Sequence, residues 1–373
     1  MHICFIEDTL LHGGTQIWVT EACRHFLANG EAVTILTPAG SWVGEQCAKT
    51  RARVVTYDWA EMVGQDDHSR RIWTDALRDC DVAVCTVHPP REGFHCSVFA
   101  ARCIKEYDLK THLIPKTGTI VPEYLREFYL PDDTIRSSVI AIADFTRRYL
   151  IDTYQIPEDA VTLIYQGTDI RRFSSTEEAQ AEASARYPLP QDATPILGCI
   201  GSFEHRKGQL VLFEAVSKLA SGPLPHVHLI LVGDGPDEEH LKERAKALGL
   251  ENRVSFFPFT RQPKHVFERI DITVLPSLYK EGLPNVLLES MAMKVPVIAS
   301  KLGGVPEVVL EGQTGYLVEP GDSYHLADAI YRLWGDQATY RQMGRRARRL
   351  MKERFDKETQ FGSFLNYFER RMK

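Results

Sequence analysis

The chain of 373 residues is 44% hydrophobic and 25% charged, as in ordinary globular proteins, and its length predicts two domains. Its net charge of −6 and pI of about 6.1 lack the basic excess typical of nucleic-acid-binding proteins, so we expect no nucleic-acid partner. No run of about 18 apolar residues is present to predict a membrane span, and the first residues predict a β-strand rather than a signal peptide.

The eight cysteines include no C-x-x-C pair, and several lie in apolar runs. This pattern favours buried free thiols in a reducing compartment over zinc ligands or disulfides. We therefore expect a cytoplasmic protein without a metal site or cofactor.

In the first half of the chain, short β-branched runs alternate with helical patterns such as 16–29 and 69–78. This alternation predicts βαβ units around a parallel sheet. Two glycines, Gly13 and Gly14, follow the first strand and would let the backbone approach a ligand closely. Strands are predicted at 2–7, 32–37, 53–57, 81–87, 112–115, 139–142 and 161–165.

Residues 174–194 are rich in Ser, Ala, Glu and Pro and interrupt the alternation, so they predict a linker. The alternation then restarts, with helical patterns at 207–219, 236–248, 263–269 and 285–291. We predict two Rossmann-like, doubly wound α/β domains facing a central cleft, at 1–173 and 195–355, with a C-terminal helix at about 356–373 packing back on the first. Strands are predicted at 196–200, 227–232, 254–257, 272–275, 295–299 and 315–317.

The segment Glu281-Gly-Leu-Pro-Asn-Val-Leu-Leu-Glu289 connects a buried strand to a helix. Pro284 suits the first turn of a helix, whose free N–H groups and positive dipole end favour an anion. The two carboxylates, on the order of 10 Å apart at the helical rise, would accept hydrogen bonds from hydroxyl groups on either side of it. Spacing alone would favour the alternative that Glu281 is a loop residue and Glu289 a charge on the helix surface.

This segment, with Val295-Pro-Val-Ile-Ala-Ser, Gly303-Gly-Val-Pro-Glu-Val-Val and Gly312-Gln-Thr-Gly-Tyr-Leu-Val, resembles the EX7E region of the retaining GT4 glycosyltransferases, which have the GT-B fold. The resemblance covers most of the chain and is most specific from Pro195 to Pro320. It implies that Glu281 orients the transferred sugar, that Glu289 binds the ribose, and that the diphosphate lies at the start of the helix. Lys207, in a strand–turn–helix segment, matches a family cation; Ser202 replaces the usual first cation, for which Arg206 could compensate.

Other positions follow from the same resemblance. The backbone of Phe257 and Pro258 would lie beside the nucleobase, and His88 would contact the transferred sugar. Lys116 stands where many members have a histidine, and with Thr117 it could bind an anionic acceptor. Donor contacts are expected at Gly13, Gly14, Ser202, Arg206, Lys207, Phe257, Pro258, Gly282, Leu283, Pro284, Asn285, Val286 and Glu289; catalytic roles at Glu281, His88 and Lys207; and acceptor contacts at Arg91, Lys116, Thr117 and Arg147.

The sequence thus predicts a metal-independent retaining hexosyltransferase, with UDP-glucose as the first donor and a hydroxyl acceptor such as a sugar phosphate, as in sucrose-phosphate synthases. The alternatives are transfer from GDP-mannose or UDP-GlcNAc to a glycan or lipid-linked acceptor, a sugar-nucleotide epimerase, and a non-catalytic sugar-binding protein. A basic helical segment from about residue 340 adds the expectation of weak peripheral contact with the inner face of a membrane. Acceptor, donor and oligomeric state stay open at this level.

Overall fold

The computed structural model describes residues 1–10, 13–87, 95–118 and 126–372. Within them the strands are β1 His2–Ile6, β2 Ala32–Pro38, β3 Arg53–Tyr57, β4 Val82–Val87, β5 His112–Thr117, β6 Val139–Ala141, β7 Val161–Leu163, β8 Ile196–Ile200, β9 His228–Val232, β10 Val254–Phe257, β11 Ile272–Leu275, β12 Val297–Ser300 and β13 Gly315–Val318.

The α-helices of the same residues are α1 Gly14–Ala28, α2 Trp42–Cys47, α3 Trp59–Gly64, α4 Asp67–Leu77, α5 His95–Glu106, α6 Asp144–Asp152, α7 Glu177–Arg186, α8 Gln209–Ala220, α9 Glu238–Ala247, α10 Lys264–Phe267, α11 Asn285–Ala292, α12 Ser323–Gly335, α13 Gln337–Arg354 and α14 Lys357–Met372. The chain forms two compact units, one of residues 1–165 with 360–373 and one of residues 166–359.

The first unit is built on a parallel sheet of seven strands in the order β3-β2-β1-β4-β5-β6-β7. One face packs against α1 and α2, and the other against α4 and α5. The central strands β1, β4 and β5 are almost wholly buried, as expected of a parallel sheet covered on both faces.

Helix α14 completes the core of this unit on the α1 face. Phe361, Phe364 and Phe368 are buried with Trp18 and Phe26, and the rings of Trp18 and Phe364 lie 5.3 Å apart between centroids. The apolar stripe of the last helix thus belongs to the core of the first unit, although it lies nearly two hundred residues downstream of β7 in the sequence.

The second unit is built on a parallel sheet of six strands in the order β10-β9-β8-β11-β12-β13. From β8 the chain first adds β9 and β10 on one side and then returns to add β11, β12 and β13 on the other. The strand order therefore reverses between β8 and β11, where ligands bind in open α/β sheets. Its core is lined by α8, α9 and α12.

The predicted fold class is confirmed: both sheets are doubly wound and Rossmann-like, and each predicted strand is present within one or two residues. The predicted linker 174–194 contains α7, whose Ala179 and Ala183 are buried, and the structure places it inside the second unit. Helix α8 begins at Gln209 rather than Lys207, because Gly208 adopts the left-handed conformation and ends a short 3-10 turn, His205–Lys207. The central cleft stays a prediction.

Helix α13 carries the basic segment that the sequence shows. Arg341, Arg345 and Arg349 are spaced four residues apart and exposed along one side of the helix. Arg348 instead turns inward and donates to the backbone carbonyls of Phe173 and Ala292, which holds α13 in the second unit. The described residues contain no helix that is long and apolar enough to cross a membrane. Contact with a membrane surface stays a prediction.

Candidate active site

The turn that follows β8 is held against the loop that follows β11. The backbone N–H of Leu278 donates to the carbonyl oxygen of Arg206 at 2.8 Å. A Cβ at Gly208 would lie 2.1 Å from the carbonyl oxygen of Pro276, and Gly208 has a φ of +68°, so glycine is required on both grounds. The close approach fixes Lys207 beside the second loop at the reversal point of the sheet.

Glu281, in that second loop, is only 8% exposed and is surrounded by donors. Its Oε1 atom accepts from the Nζ of Lys207 at 2.5 Å and from the hydroxyl of Ser277 at 2.7 Å. The Nη1 atom of Arg206 lies 3.8 Å from the same oxygen. A carboxylate so buried requires such partners, because desolvation of an unpaired charge is costly.

Arg206 is shared between two carboxylates. Its Nε donates to Oε2 of Glu204 at 2.6 Å. Burial raises the pKa of Glu204, but the Arg206 guanidinium, a hydrogen bond from Ser202 and the charge of Lys207 together hold that pKa below its ordinary value. The side chain of Ser202 is therefore engaged with Glu204, and its carbonyl oxygen accepts from the side-chain amide of Gln209 at 2.8 Å.

Helix α11 starts immediately after this cluster. The helix begins at Asn285, so Pro284 precedes it instead of occupying its first turn, and no side chain caps its first N–H groups. Uncapped N–H groups at a helix start can bind an anion. Asn285, Val286 and Glu289 are half-buried, whereas Gly282 and Leu283 are buried in the loop. Because 281–284 is not helical, the helical rise does not by itself give the distance between Glu281 and Glu289.

The loop after β12 packs against the loop after β11, which contains Glu281 and Gly282. Gly304 donates its N–H to the carbonyl oxygen of Gly282 at 3.0 Å. Gly303 has a φ of +56°, and a Cβ there would lie 1.9 Å from the carbonyl oxygen of Glu281. The Gly303-Gly304 pair therefore determines how closely the Glu281 backbone can be packed.

Phe257 and Pro258, expected beside a nucleobase, end β10. The carbonyl oxygen of Phe257 accepts from the N–H of Gly233 at 3.0 Å, and its ring packs edge-on against Tyr187 at 4.9 Å between centroids. Pro258 is exposed. The Phe257 side chain thus has a packing role, and its backbone oxygen is used within the sheet.

The first unit has its own group of predicted site residues near the carboxyl ends of β1, β4 and β5. Gly13 and Gly14 begin α1, with Gly13 at the cap position and no side chain capping the helix. Lys116 and Thr117 are the last two residues of β5 and are buried. Arg147 is paired with Asp144 and Glu158 at the surface of α6. His88 and Arg91 lie outside the described residues, so their expected roles stay predictions.

Several residues of these clusters escape sequence reasoning. Ser277 donates a hydrogen bond to Glu281, and Glu204 pairs with Arg206. Gly303 fixes the backbone of Glu281. In the first unit, Glu7 is fully buried and accepts from Thr9, Gln16 and Thr86. A polar residue at or just beyond the carboxyl end of a predicted buried strand was the available signal for Glu7 and Ser277.

A fold of two Rossmann-like units with a basic and acidic cluster at a sheet reversal point is typical of nucleotide-binding enzymes. Residues 181–350 match the family model described as "Glycosyl transferases group 1". The matched segment, which includes Lys207, Glu281 and Glu289, is therefore similar to the glycosyl transferases of group 1.

Relatives extend this result. The chain is 32% identical over 204 residues to a D-inositol 3-phosphate glycosyltransferase of Corynebacterium diphtheriae, covering 52% of this chain and 47% of the relative. It is 33% identical over 202 residues to an N-acetyl-alpha-D-glucosaminyl L-malate synthase of Bacillus anthracis, covering 54% of this chain and 51% of that protein. The matched part of the chain thus spans about half the length of these relatives.

The solved structure of Anabaena HepE in complex with UDP superimposes with a TM-score of 0.86 at 21% identity, covering 99% of this chain and all of that one. At this identity the likeness concerns the fold. The resemblance to glycosyltransferases of the GT-B fold is confirmed by the family match and by this fold. The retaining stereochemistry and the individual site residues stay predictions.

Proposed function

We propose that the protein is a retaining glycosyltransferase that moves a hexosyl group from a nucleotide-diphosphate sugar to a hydroxyl acceptor. One observation carries the proposal: Lys207 and Glu281, in the loops that follow two neighbouring strands of the second unit, meet at 2.5 Å beside the start of α11. A cation, a carboxylate and free helix N–H groups at one point suit a ligand that combines a diphosphate with sugar hydroxyls.

In this proposal the diphosphate of the donor binds at the first turn of α11. Lys207 and Arg206 supply the positive charge, and Glu289 accepts hydrogen bonds from the ribose hydroxyls. Glu281 accepts hydrogen bonds from hydroxyls of the transferred sugar. Lys207 and Ser277 both contact Oε1 of Glu281, and we propose that the sugar hydroxyls bind to its second carboxylate oxygen.

The reaction breaks the bond between the anomeric carbon and the diphosphate oxygen and forms a bond to the acceptor oxygen on the same face. Negative charge grows on the leaving diphosphate, and donors fixed in advance stabilise it more than mobile water could. The acceptor proton passes to the departing phosphate oxygen. We assign no covalent nucleophile and no metal ion, because Lys207, Arg206 and the α11 N–H groups can supply the positive charge.

UDP-glucose is the donor we propose first, with GDP-mannose and UDP-GlcNAc as alternatives. We also propose that the reaction takes place in the cytoplasm. HepE, whose fold is shared, was solved with UDP bound. The names of the two relatives each include a small anionic compound, inositol 3-phosphate or L-malate. A soluble anionic acceptor is therefore proposed ahead of a glycan or lipid-linked acceptor.

A donor-by-acceptor screen for nucleotide release, in buffer with and without EDTA, tests the proposal. We expect UDP release that requires an acceptor and is unaffected by EDTA. Lys207→Ala should lower kcat by about 10²-fold or more, because it removes a charge that stabilises the leaving group. Glu281→Gln keeps the size of the side chain and should reduce transfer similarly.

The matched controls are Lys246→Ala and Glu243→Gln, which change exposed side chains of α9 and should leave transfer unchanged. Full activity of both site variants would contradict the proposed site. Conversion of the donor without any acceptor would instead indicate an epimerase or a hydrolase. Donor binding by calorimetry with no turnover on any acceptor would indicate a sugar-binding protein.

A further inference from the structure

Lys116 is a buried cation of the first unit that has no ion-pair or hydrogen-bond partner among the described residues. Lys116 is only 6% exposed. Its side chain forms neither an ion pair nor a hydrogen bond within the part of the chain that the structure describes. Buried lysines are ordinarily paired, since removing an ammonium group from water is costly. A lysine retained in this state therefore calls for a functional explanation.

The surroundings of Lys116 are aromatic and neutral apart from one carboxylate. Its Nζ lies 4.1 Å from the ring centroid of Trp18, a cation–π contact. Among the elements packed on this face of the sheet, Glu7 at the end of β1 is the charged group that acts on Lys116. Burial lowers the pKa of Lys116 to about 7, and the charge of Glu7 opposes that shift.

Glu7 does not neutralise Lys116 by direct contact. Its Oε1 accepts from Thr9 at 2.8 Å and from Gln16 at 2.9 Å, and its Oε2 accepts from Thr86 at 2.5 Å. Three neutral donors thus satisfy this carboxylate, and no ion pair joins it to the ammonium group. Lys116 remains available for a second anion.

The start of α1 adds a further positive contribution. Trp18, which lies under the Lys116 ammonium, is one turn from Gly14, the first residue of the helix. Gly13 provides no capping side chain, and the first turn contains no acidic residue. The first N–H groups and the positive dipole end of this 15-residue helix therefore lie one turn from the ring that Lys116 contacts, and the Glu7 carboxylate reaches the same turn through the side chain of Gln16.

We propose that Lys116 and the first turn of α1 bind the anionic group of the acceptor, a phosphate monoester or a carboxylate on a small hydroxylated molecule. That the bound anion belongs to a sugar acceptor rests on the proposed function; the anion site itself does not. The shared chemistry is a compact oxyanion that can receive one hydrogen bond from the Lys116 ammonium and others from backbone N–H groups. Lys116 would thereby select acceptors by charge.

The test is equilibrium binding to the full chain by calorimetry at pH 6.5, with glucose 6-phosphate, L-malate, inorganic phosphate and neutral glucose as probes. We expect at least one anionic probe to bind and glucose to bind far more weakly. Lys116→Met, which keeps an unbranched side chain in the buried position, should lower that affinity at least tenfold. Comparison of glucose 6-phosphate with L-malate separates a phosphate site from a carboxylate site.

The matched control is Lys110→Met, the same substitution at an exposed lysine just before the opposite end of β5. It should leave binding of the anion unchanged. Lys116→Arg keeps a permanent charge and should retain binding. Equal affinity of the wild type and Lys116→Met for every anionic probe, or no binding of any anionic probe to the wild type, would overturn the inference.

The pH dependence gives a readout that a merely structural lysine would not produce. Because the anion favours the ammonium form, affinity for L-malate, whose own charge is constant in this range, should fall as pH rises from 6.5 to 8.5. The fall should disappear in Lys116→Arg. A flat profile in the wild type would contradict the proposal.

Failure of this inference and of the proposed function are distinguishable. If transfer is found but Lys116→Met has an unchanged KM for every charged acceptor, the anion site is wrong and the transferase stands. If anion binding depends on Lys116 but no donor is ever consumed, the site stands and the transferase is wrong. UDP affinity measured on Lys116→Met should equal that of the wild type in either case.

Discussion

Buried charge is handled differently in the two units. In the second unit Glu281 is compensated by Lys207, with Arg206 and Ser277 close to the same oxygen. In the first unit Glu7 accepts from three neutral donors, and Lys116 lies over the ring of Trp18 without an ion pair to any described residue. Glu281 therefore already has a cationic partner, whereas Lys116 can receive an anion without losing an ion pair.

The backbone of Glu281 depends on the absence of a side chain at Gly303. In Gly303→Ala the new Cβ would lie 1.9 Å from the Glu281 carbonyl oxygen, in addition to the strain of an alanine at φ +56°. The strain alone costs about 1–2 kcal/mol, and the overlap adds about 1–3 kcal/mol unless the loop moves. We expect lower stability in urea and weaker binding of UDP-glucose.

Gly312→Ala separates the two contributions, because Gly312 has a similar φ of +66° but open space around its Cβ. It should show only the strain and leave donor affinity unchanged. Equal loss of stability in both variants, with donor affinity intact, would show that the contact of Gly303 with Glu281 has no energetic importance.

At the residue scale, sequence reasoning located Glu281 and Lys207 but not their contact. The two are 74 residues apart, and only the adjacency of β8 and β11 brings them together. Ser277 and Gly303 were missed for the same reason: a hydroxyl and a glycine acquire their roles from a neighbour supplied by the tertiary fold. Lys116 was expected at an anionic ligand, but its burial could not be foreseen in a strand whose pattern is short.

Helix α14 is anchored to the first sheet by polar contacts as well as by its phenylalanines. The hydroxyl of Tyr367 lies 2.6 Å from that of Ser138, and Ser138 lies 2.7 Å from the Nε2 of His112 on β5. Burial, assisted by the nearby charges of Arg136 and Arg371, lowers the pKa of His112 to about 4. The anchor therefore contains an imidazole that is neutral in the folded protein above about pH 4.

This anchor should make stability depend on pH. His112 binds a proton at about pH 6.5 when unfolded and only near pH 4 when folded, so the unfolded state binds more protons in between. The stabilisation is present above pH 6.5 and is lost as pH falls toward 4. We expect the free energy of unfolding to decrease by about 2 kcal/mol between pH 7 and pH 5 from this group.

Urea unfolding at both pH values, monitored by tryptophan fluorescence, measures this difference. His112→Gln should reduce the dependence, and a remainder should persist because burial also lowers the pKa of His228. His325→Gln, at an exposed position of α12, should not change it. An unchanged slope in His112→Gln would show that the ring titrates freely in the folded protein.

At the element scale, the strands were predictable because runs such as Val82–Val87 and Ile272–Leu275 are apolar and β-branched, as buried parallel strands require. Helix starts were less predictable. Gly208 delays α8 through its left-handed backbone, and Pro284 precedes α11 instead of joining it. Helix α7 lacks a strong apolar pattern and is stabilised by two small alanines against its own unit, so its composition predicted a linker.

At the scale of the whole molecule, the two units differ in how the chain builds them. The second unit is one continuous segment, residues 166–359, with its own sheet and core. Its two ends are joined: Thr168 donates its N–H to the carbonyl oxygen of Phe355 at 2.8 Å, and Lys357 donates to Thr168 at 3.0 Å. The first unit is discontinuous and needs residues 360–373 for its core.

This asymmetry predicts different behaviour of the isolated parts. A fragment of residues 166–359 retains every contact of the Lys207–Glu281 cluster and both paired ends, so it should fold cooperatively and bind UDP, without transferring sugar. A fragment of residues 1–165 lacks Phe361, Phe364 and Phe368 against Trp18 and Phe26, and each missing ring costs about 3–5 kcal/mol. That loss approaches the whole stability of a domain, so the fragment should not fold alone. Circular dichroism melts and UDP calorimetry measure both outcomes; joining 360–373 to residue 165 through a flexible linker should restore folding, and cooperative folding of 1–165 by itself would show that α14 is dispensable.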